Sequence, residues 1–250
     1  MRGERYEQDD VGSGFTADVG YGAFGADFAP TEGTRLGVAI QYGHGKVKGN
    51  AFSVKNKFKD YSATLYGSAD LGDTGIKLLG EIAYTQSKND ITNTYHTGLN
   101  QDLDAKMYSG GITLQKGFEL GAVNITPSVG VRLSRIETDA MRAGLSSIEE
   151  QKQTIVQVPI ALRLSTKPME TASGWSIAPR FKVAYIPTFG DKEIGILGVK
   201  STVLDTSPVQ GAFGVTFKKG GFAADIAVQG GVGNRGTSSY GGKIGLSYAF

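Results

Sequence analysis

The last twelve residues, SYGGKIGLSYAF, alternate without a break. Tyr240, Gly242, Ile244, Leu246, Tyr248 and Phe250 interleave with Gly241, Lys243, Gly245, Ser247 and Ala249. One set is mostly large and apolar, the other small or polar. A period of two marks an extended strand whose faces meet different surroundings. The same split recurs upstream. Phe222, Ala224, Ile226 and Val228 oppose Ala223, Asp225, Ala227 and Gln229, and Phe213, Val215 and Phe217 oppose Ala212, Gly214 and Thr216. Further sets are Ile177 to Tyr185, Val156 to Leu164, Val123 to Leu133, Tyr108 to Leu114, Ile76 to Tyr84, Tyr61 to Ala69 and Leu36 to Tyr42. No long stretch has helical periodicity. The segment AMRAGLSSIEEQ offers a short helix inside a loop, with Met141, Leu145 and Ile148 on one side.

These segments run about 11–15 residues, well beyond the roughly 5–6 usual in globular sheets. No apolar run approaches the roughly 18 residues that a spanning helix needs. Membrane barrels, however, cross with alternating residues. Eleven segments are clear, and an even count assigns residues 1–10 to a truncated first strand, giving about twelve.

Connectors largely alternate in length. KKGG, GFELGA, LGDTG and APTEG are short, and long polar segments fall between them, although 167–174 is long for a turn. With Phe250 on the periplasmic side, the short ones become periplasmic turns and the long ones extracellular loops. The fold expectation is therefore all-β: a single antiparallel transmembrane β-barrel of about 12 strands over residues 1–250, with long extracellular loops and short periplasmic turns.

Two further features favour a barrel over a soluble sandwich. Phe28, Phe118, Trp175, Phe217, Phe222, Tyr248 and Phe250 gather at one set of strand ends. Tyr42, Tyr61, Tyr84, Tyr108, Tyr185 and Tyr240 gather towards the other. Two aromatic girdles suit two membrane interfaces. The opposite face mixes Gly, Ala and Ser with Glu81, Arg132, Arg163, Arg180, Lys182 and Asp225, as a narrow watery lumen requires.

The stretch GYGAFGADF contains Gly20, Gly22 and Gly25 at dinucleotide-loop spacing. That fingerprint requires a helix to start beside the pyrophosphate. None follows, so a nucleotide site is excluded. Val19 and Tyr21 fall out of phase with Phe24 and Phe28, which predicts either a bulge or an inward Tyr21.

Charge is balanced, with 26 Lys and Arg against 24 Asp and Glu, and no basic block points to nucleic acid. The absence of cysteine excludes disulfides and thiolate chemistry. His44 and His96, the two histidines, sit near strand ends without marked partners. Catalytic, cofactor-binding and metal-binding residues are accordingly none.

Several motifs resemble the classical autotransporter β-domain of type V secretion. They are MRGERY followed by GYGAFGADFAPTEGTRLGVAIQYGHGKV, then DYSATLYGSADLGDTGIKLLGEIAYTQSKND, ITPSVGVRLSRIET and the closing GKIGLSYAF. The resemblance implies a twelve-stranded barrel in the bacterial outer membrane, with its loops at the cell surface. It also implies export or display of an N-terminal passenger, with a pore helix from the linker in the lumen. The chain begins at strand one, so passenger and linker are expected to be absent from it.

Ile244, Leu246, Tyr248 and Phe250 resemble the C-terminal signal read by the barrel-assembly machinery. The remaining expected partners are outer-membrane lipid and lipopolysaccharide. Glu81, Arg132, Arg163, Arg180, Lys182 and Asp225 either hold the pore helix and ease passenger passage, or pair with one another across the lumen. Asp70 is a further candidate partner for the cations. The alternative functions are a stand-alone porin or adhesin barrel and a barrel-borne outer-membrane hydrolase. Segment 194–204 either extends a hairpin above the membrane or folds back inward.

Overall fold

The computed structural model describes residues 1–8, 14–49, 54–93, 100–143, 146–148, 150–191, 193–196, 199–202, 208–233 and 236–250. Twelve antiparallel strands form one closed barrel. In chain order they are β1 (Arg2–Gln8), β2 (Phe15–Phe28), β3 (Thr34–Gly49), β4 (Val54–Asp70), β5 (Ile76–Asn93) and β6 (Asn100–Lys116). Then come β7 (Val123–Thr138), β8 in two segments (Gln151–Gln157 and Ile160–Thr166) and β9 (Ser176–Tyr185, resuming at Thr188–Gly190). The last three are β10 (Val209–Lys219), β11 (Phe222–Val232) and β12 (Thr237–Tyr248). Each pairs with its neighbours in sequence. The weakly alternating β1 closes the ring, pairing with β2 from Arg2↔Tyr21 to Gln8↔Phe15 and with β12 from Arg2↔Lys243 to Gln8↔Thr237.

Burial is inverted relative to a water-soluble domain. Among the described residues the buried apolar side chains are Ala17, Ile155 and Ala184. The bulky apolar set of the sequence lies on the outside, with Ile40 at 65 %, Ile82 at 60 % and Ile226 at 50 % exposure. A soluble chain of this length buries its largest aliphatics. A contiguous outward belt of them is stable only against hydrocarbon. Ring pairs flank the belt: Tyr42 with Tyr61 (5.4 Å between centroids) and Tyr84 with Tyr108 (5.2 Å) near one end, and Trp175 with Phe222 (6.2 Å) near the other.

The turns at the Trp175 end are tightly tied. Lys219 pairs with Phe222 around a two-residue turn in which Gly220 takes φ +57°, a left-handed conformation that glycine adopts without steric cost. After β4, a short 3-10 turn (Gly72–Thr74) closes with Leu71 N–H donating to the Ile76 carbonyl at 2.8 Å.

Strands β8 and β9 break at Pro159 and Pro187, which lack the N–H that a ladder needs. The gaps are bridged by proline carbonyls. Gly130 N–H donates to Pro159 (2.9 Å), Val158 N–H to Pro187 (2.9 Å) and Ile186 N–H to Pro208 (3.0 Å). The register therefore survives: Gln157↔Arg132 and Ile160↔Val129 belong to one continuous alignment.

Two sequence expectations resolve locally, and a third gains a pairing. The β2–β3 register runs unbroken from Phe15↔Gly49 to Phe28↔Leu36, so there is no bulge and Tyr21 turns inward. The expected helix at 140–151 is wrong: Met141–Ala143 pairs with Ser146–Ile148 as a hairpin, and Leu145 lies outside the described residues. A helix there would carry Gly144 mid-span, at about 1 kcal/mol relative to alanine. At 194–204, Glu193–Ile196 pairs with Val199–Thr202 as a hairpin apart from the barrel sheet, while 197, 198, 203 and 204 lie outside the described residues.

Candidate functional site: the barrel interior

The inner face of each strand carries every second residue, and its small side chains leave room for long ones to reach across. Arg132 on β7 lies opposite Gly111 on β6, which in turn lies opposite Glu81 on β5. With no side chain on Gly111, the Arg132 guanidinium passes over β6 and pairs with Glu81.

The arrangement repeats around the wall. Arg180 on β9 faces Gly214 on β10 and crosses it to Asp225 on β11. Its Nη2 donates to Asp225 Oδ1 at 2.6 Å and Nη1 pairs with Oδ2, while Thr216 donates to that same Oδ2 at 3.0 Å and accepts from Nη1 at 2.8 Å. A Cβ on Gly214 would sit 3.2 Å from Arg180 Nη2. Such a bidentate, charge-assisted contact is stronger than a neutral hydrogen bond. Partial exposure to lumen water holds its net contribution to about 1–2 kcal/mol.

Glycine also separates the partners at the seam. Glu4 on β1 and Gln229 on β11 both face Gly241 of β12, and the Gln229 amide donates to Glu4 across it. Tyr6 donates to Glu4 Oε2 at 2.6 Å, and Arg2 completes the cluster with an ion pair to Glu4. Near the opposite end, Tyr66 on β4 crosses Gly37 of β3 to Asp27 on β2, and Arg35 pairs with Asp27 at 3.0 Å. Tyr21 lies over Gly43, whose Cβ would come within 2.7 Å of the ring.

The sequence-selected charges thus separate into two groups. Glu81 with Arg132, and Arg180 with Asp225, are pairs. Arg163 and Lys182 sit directly opposite each other on β8 and β9, and neither has an ion pair among the described residues. Asp70 pairs with Lys77 at 3.2 Å rather than with any of these cations. Sequence reasoning missed Arg2, Glu4, Tyr6, Asp27 and Tyr66. In β1 the clue was present, since Arg2, Glu4, Tyr6 and Gln8 alternate as a polar set.

Two cavities open between these ties. One, of about 520 Å³, is lined by Tyr66, Glu81, Arg132 and Lys182. Another, of about 470 Å³, is lined by Tyr6, Tyr21, Asp60 and Lys243. The interior is thus polar and only partly filled. Among the described residues no group of three or more His, Asp or Glu is placed to hold a metal. His44 stacks on Tyr42 (6.0 Å between centroids), and His96 lies outside the described residues.

At the C-terminus, Ile244, Leu246, Tyr248 and Phe250 project outward along and just beyond β12, with Leu246 at 71 % exposure. The Tyr248 and Phe250 rings meet edge to face at 5.1 Å. Ala249 N–H donates to the Gly221 carbonyl at 2.8 Å, fixing the chain end against the β10–β11 turn.

Comparison with known proteins agrees with this architecture. A family model described as "Autotransporter beta-domain" matches residues 1–243. Three solved structures align over 100 % of this chain. The β domain of the Bordetella autotransporter BrkA is 17 % identical, with TM-score 0.74 and 97 % of its own chain covered. The transport unit of AIDA-I from Escherichia coli is 15 % identical, with TM-score 0.79 and 88 % covered. The translocator domain of NalP from Neisseria meningitidis is 16 % identical, with TM-score 0.72 and 86 % covered. No curated protein sequence matches. The chain belongs to the autotransporter β-domain family and is an outer-membrane translocator barrel.

Proposed function

We propose that the polar interior carries an N-terminal passenger outward in extended form and afterwards holds its linker. The observation that supports this most directly is the inner wall itself. Its pairs are tied flat against the sheet over glycines, which leaves polar cavities between them, and Arg163 and Lys182, without an ion pair among the described residues, are placed to meet passing backbone carbonyls and acidic side chains. The six charges Glu81, Arg132, Arg163, Arg180, Lys182 and Asp225 then divide their work. The two pairs brace the wall and the free cations face the cargo.

In this reading the Trp175 end lies in the periplasm and the Tyr42 end at the cell surface. Ile244, Leu246, Tyr248 and Phe250 form the strand face that the barrel-assembly machinery reads, through alternate apolar anchors on an edge strand. Lipopolysaccharide contacts the outer wall. The barrel works by passage and anchoring, without catalysis.

The test joins a passenger carrying an epitope and a linker to residue 1 and expresses it behind a secretion signal. Surface labelling of intact cells, with loss of the epitope on external protease, is the expected result. A heat-modifiable barrel in the outer membrane with the epitope still protected inside would overturn the translocation reading. A lipid or peptide hydrolysis assay on the purified barrel addresses the non-catalytic part, and turnover above background would overturn that.

A further inference from the structure

Beyond the Tyr42 and Tyr61 rings, the outer wall of β3 and β4 changes from apolar to basic. His44, Lys46 and Lys48 continue the outward face of β3, and Lys59, Lys57 and Lys55 continue that of β4. The register sets Lys46 directly opposite Lys57 and Lys48 directly opposite Lys55, with Lys59 between His44 and Lys88 of β5. Directly opposed residues hold their Cβ atoms about 4.5–5.5 Å apart, a spacing at which like charges destabilise a sheet.

Carboxylates share this face but do not close ion pairs with these lysines. Among the described residues none of Lys46, Lys48, Lys55, Lys57, Lys59 and Lys88 lies within ion-pairing distance of a carboxylate. That holds even though Asp18 sits opposite Lys46, Asp90 opposite Lys57 and Asp104 opposite Lys88. On the inner face beside them, the Phe58 ring lies over Gly45 and the Tyr21 ring over Gly43. Six lysines without an ion pair, two pairs of them directly opposed, outnumber the carboxylates beside them and suit an anion from outside the chain.

We propose that this patch binds the phosphate groups of an anionic lipid headgroup in the leaflet at the tyrosine end. The inference rests on the reading of the outer wall as membrane-facing and assigns that wall a specific ligand. Position selects the occupant. The rings of Tyr42 and Tyr61 mark the depth where hydrocarbon gives way to headgroups. Lysine stems lie along apolar surface and carry their charge towards that layer. The outward direction separates the patch from any polypeptide in the lumen. Two rows of lysines suit a headgroup with more than one phosphate, which bridges β3 and β4 and cancels the repulsion between them.

The experiment compares the intact chain with K46Q/K57Q/K59Q after refolding into phosphatidylcholine nanodiscs. The discs are plain, doped with bisphosphorylated lipid A, doped with dephosphorylated lipid A, or supplied with inorganic phosphate. Native mass spectrometry reads retained lipid and thermal unfolding reads stability. The intact chain retains bisphosphorylated lipid A on the order of a hundredfold more tightly than the variant, as expected from losing three surface lysines. Its midpoint rises with that lipid and not with the dephosphorylated one. In plain discs the variant melts at or above the intact chain, since repulsion has been removed.

Equal retention by both proteins overturns the proposal. An equal loss in the control K116Q/K218Q/K219Q, at the other end, overturns it in favour of general charge. Equal stabilisation by inorganic phosphate points to a free-anion site, and capture of an acidic protein without lipid points to a protein partner; each overturns it too. Failure of the intact chain to enter plain discs overturns the membrane reading itself, whereas insertion without selective retention overturns this inference alone.

Discussion

The Tyr66 hydroxyl donates to Asp27 at 3.1 Å across the whole width of strand β3. Gly37 lies between them, and a Cβ there would come within 2.5 Å of the Tyr66 ring and 2.7 Å of Asp27 Cβ. Gly37→Ala is therefore expected to destabilise the refolded barrel by about 1–3 kcal/mol, as overpacking does. Tyr66→Phe, which removes only the hydroxyl, costs about 1 kcal/mol. Urea unfolding in detergent micelles measures both. A G37A barrel as stable as the parent would show that Tyr66 has room to move aside.

The Arg180–Asp225 tie gives a sharper case because Thr216 shares the carboxylate. Asp225→Asn and Arg180→Gln each strand a partner, and each is expected to lower stability by about 1–2 kcal/mol, with less than additive loss in the double variant. Additive losses in the cycle would mean the contact carries no coupling energy.

Orientation of the two faces is tested by a neighbouring pair on β5. Ile82 faces outward, and Ile82→Lys is expected to cost about 2–4 kcal/mol, the depth-dependent penalty for a lysine in hydrocarbon. Ala83→Lys, one residue on and facing the polar side, should cost clearly less. Refolding yield into lipid vesicles reads the difference, and equal yields would contradict the assignment of faces.

Arg163 and Lys182, opposed and without an ion pair among the described residues, are expected to set the charge preference of the lumen. Replacing both with Gln should shift the reversal potential in planar bilayers towards cation selectivity. Removing Glu81 and Arg132 together should change it less, since that pair is already neutralised. An unchanged potential in the first variant would place Arg163 and Lys182 away from the conducting water.

Deletion of Phe250 is expected to slow membrane assembly while leaving spontaneous refolding in micelles nearly intact, because the side chain is fully exposed and its ring contact is with Tyr248. Assembly kinetics in vesicles with and without the assembly machinery separate the two. Equal rates with the machinery present would show that the terminal ring is not read.

Much of this architecture was legible because alternation is strict where one wall meets hydrocarbon. The strand ends, the inward polar set and the outward belt all follow from parity, as at Ile226 beside Asp225. Parity does not carry register. That Arg180 reaches Asp225, 45 residues away, depends on Gly214 standing between them, and no local pattern marks that glycine among 37. Strand β1 was weak because both its faces are polar, and only its two sets of partners define it. The misread helix at 140–151 lies beyond the belt, where the membrane no longer imposes a pattern.

The glycine crossings change how such a wall must come apart. Backbone ladders join each stave only to the next, so a plain sheet frays from any edge one stave at a time. Here Glu81 with Arg132, Glu4 with Gln229, Tyr66 with Asp27 and Arg180 with Asp225 stitch across a third stave. Peeling one away therefore strains two junctions together. Parting of neighbouring staves is therefore expected to begin where, among the described residues, no such stitch crosses.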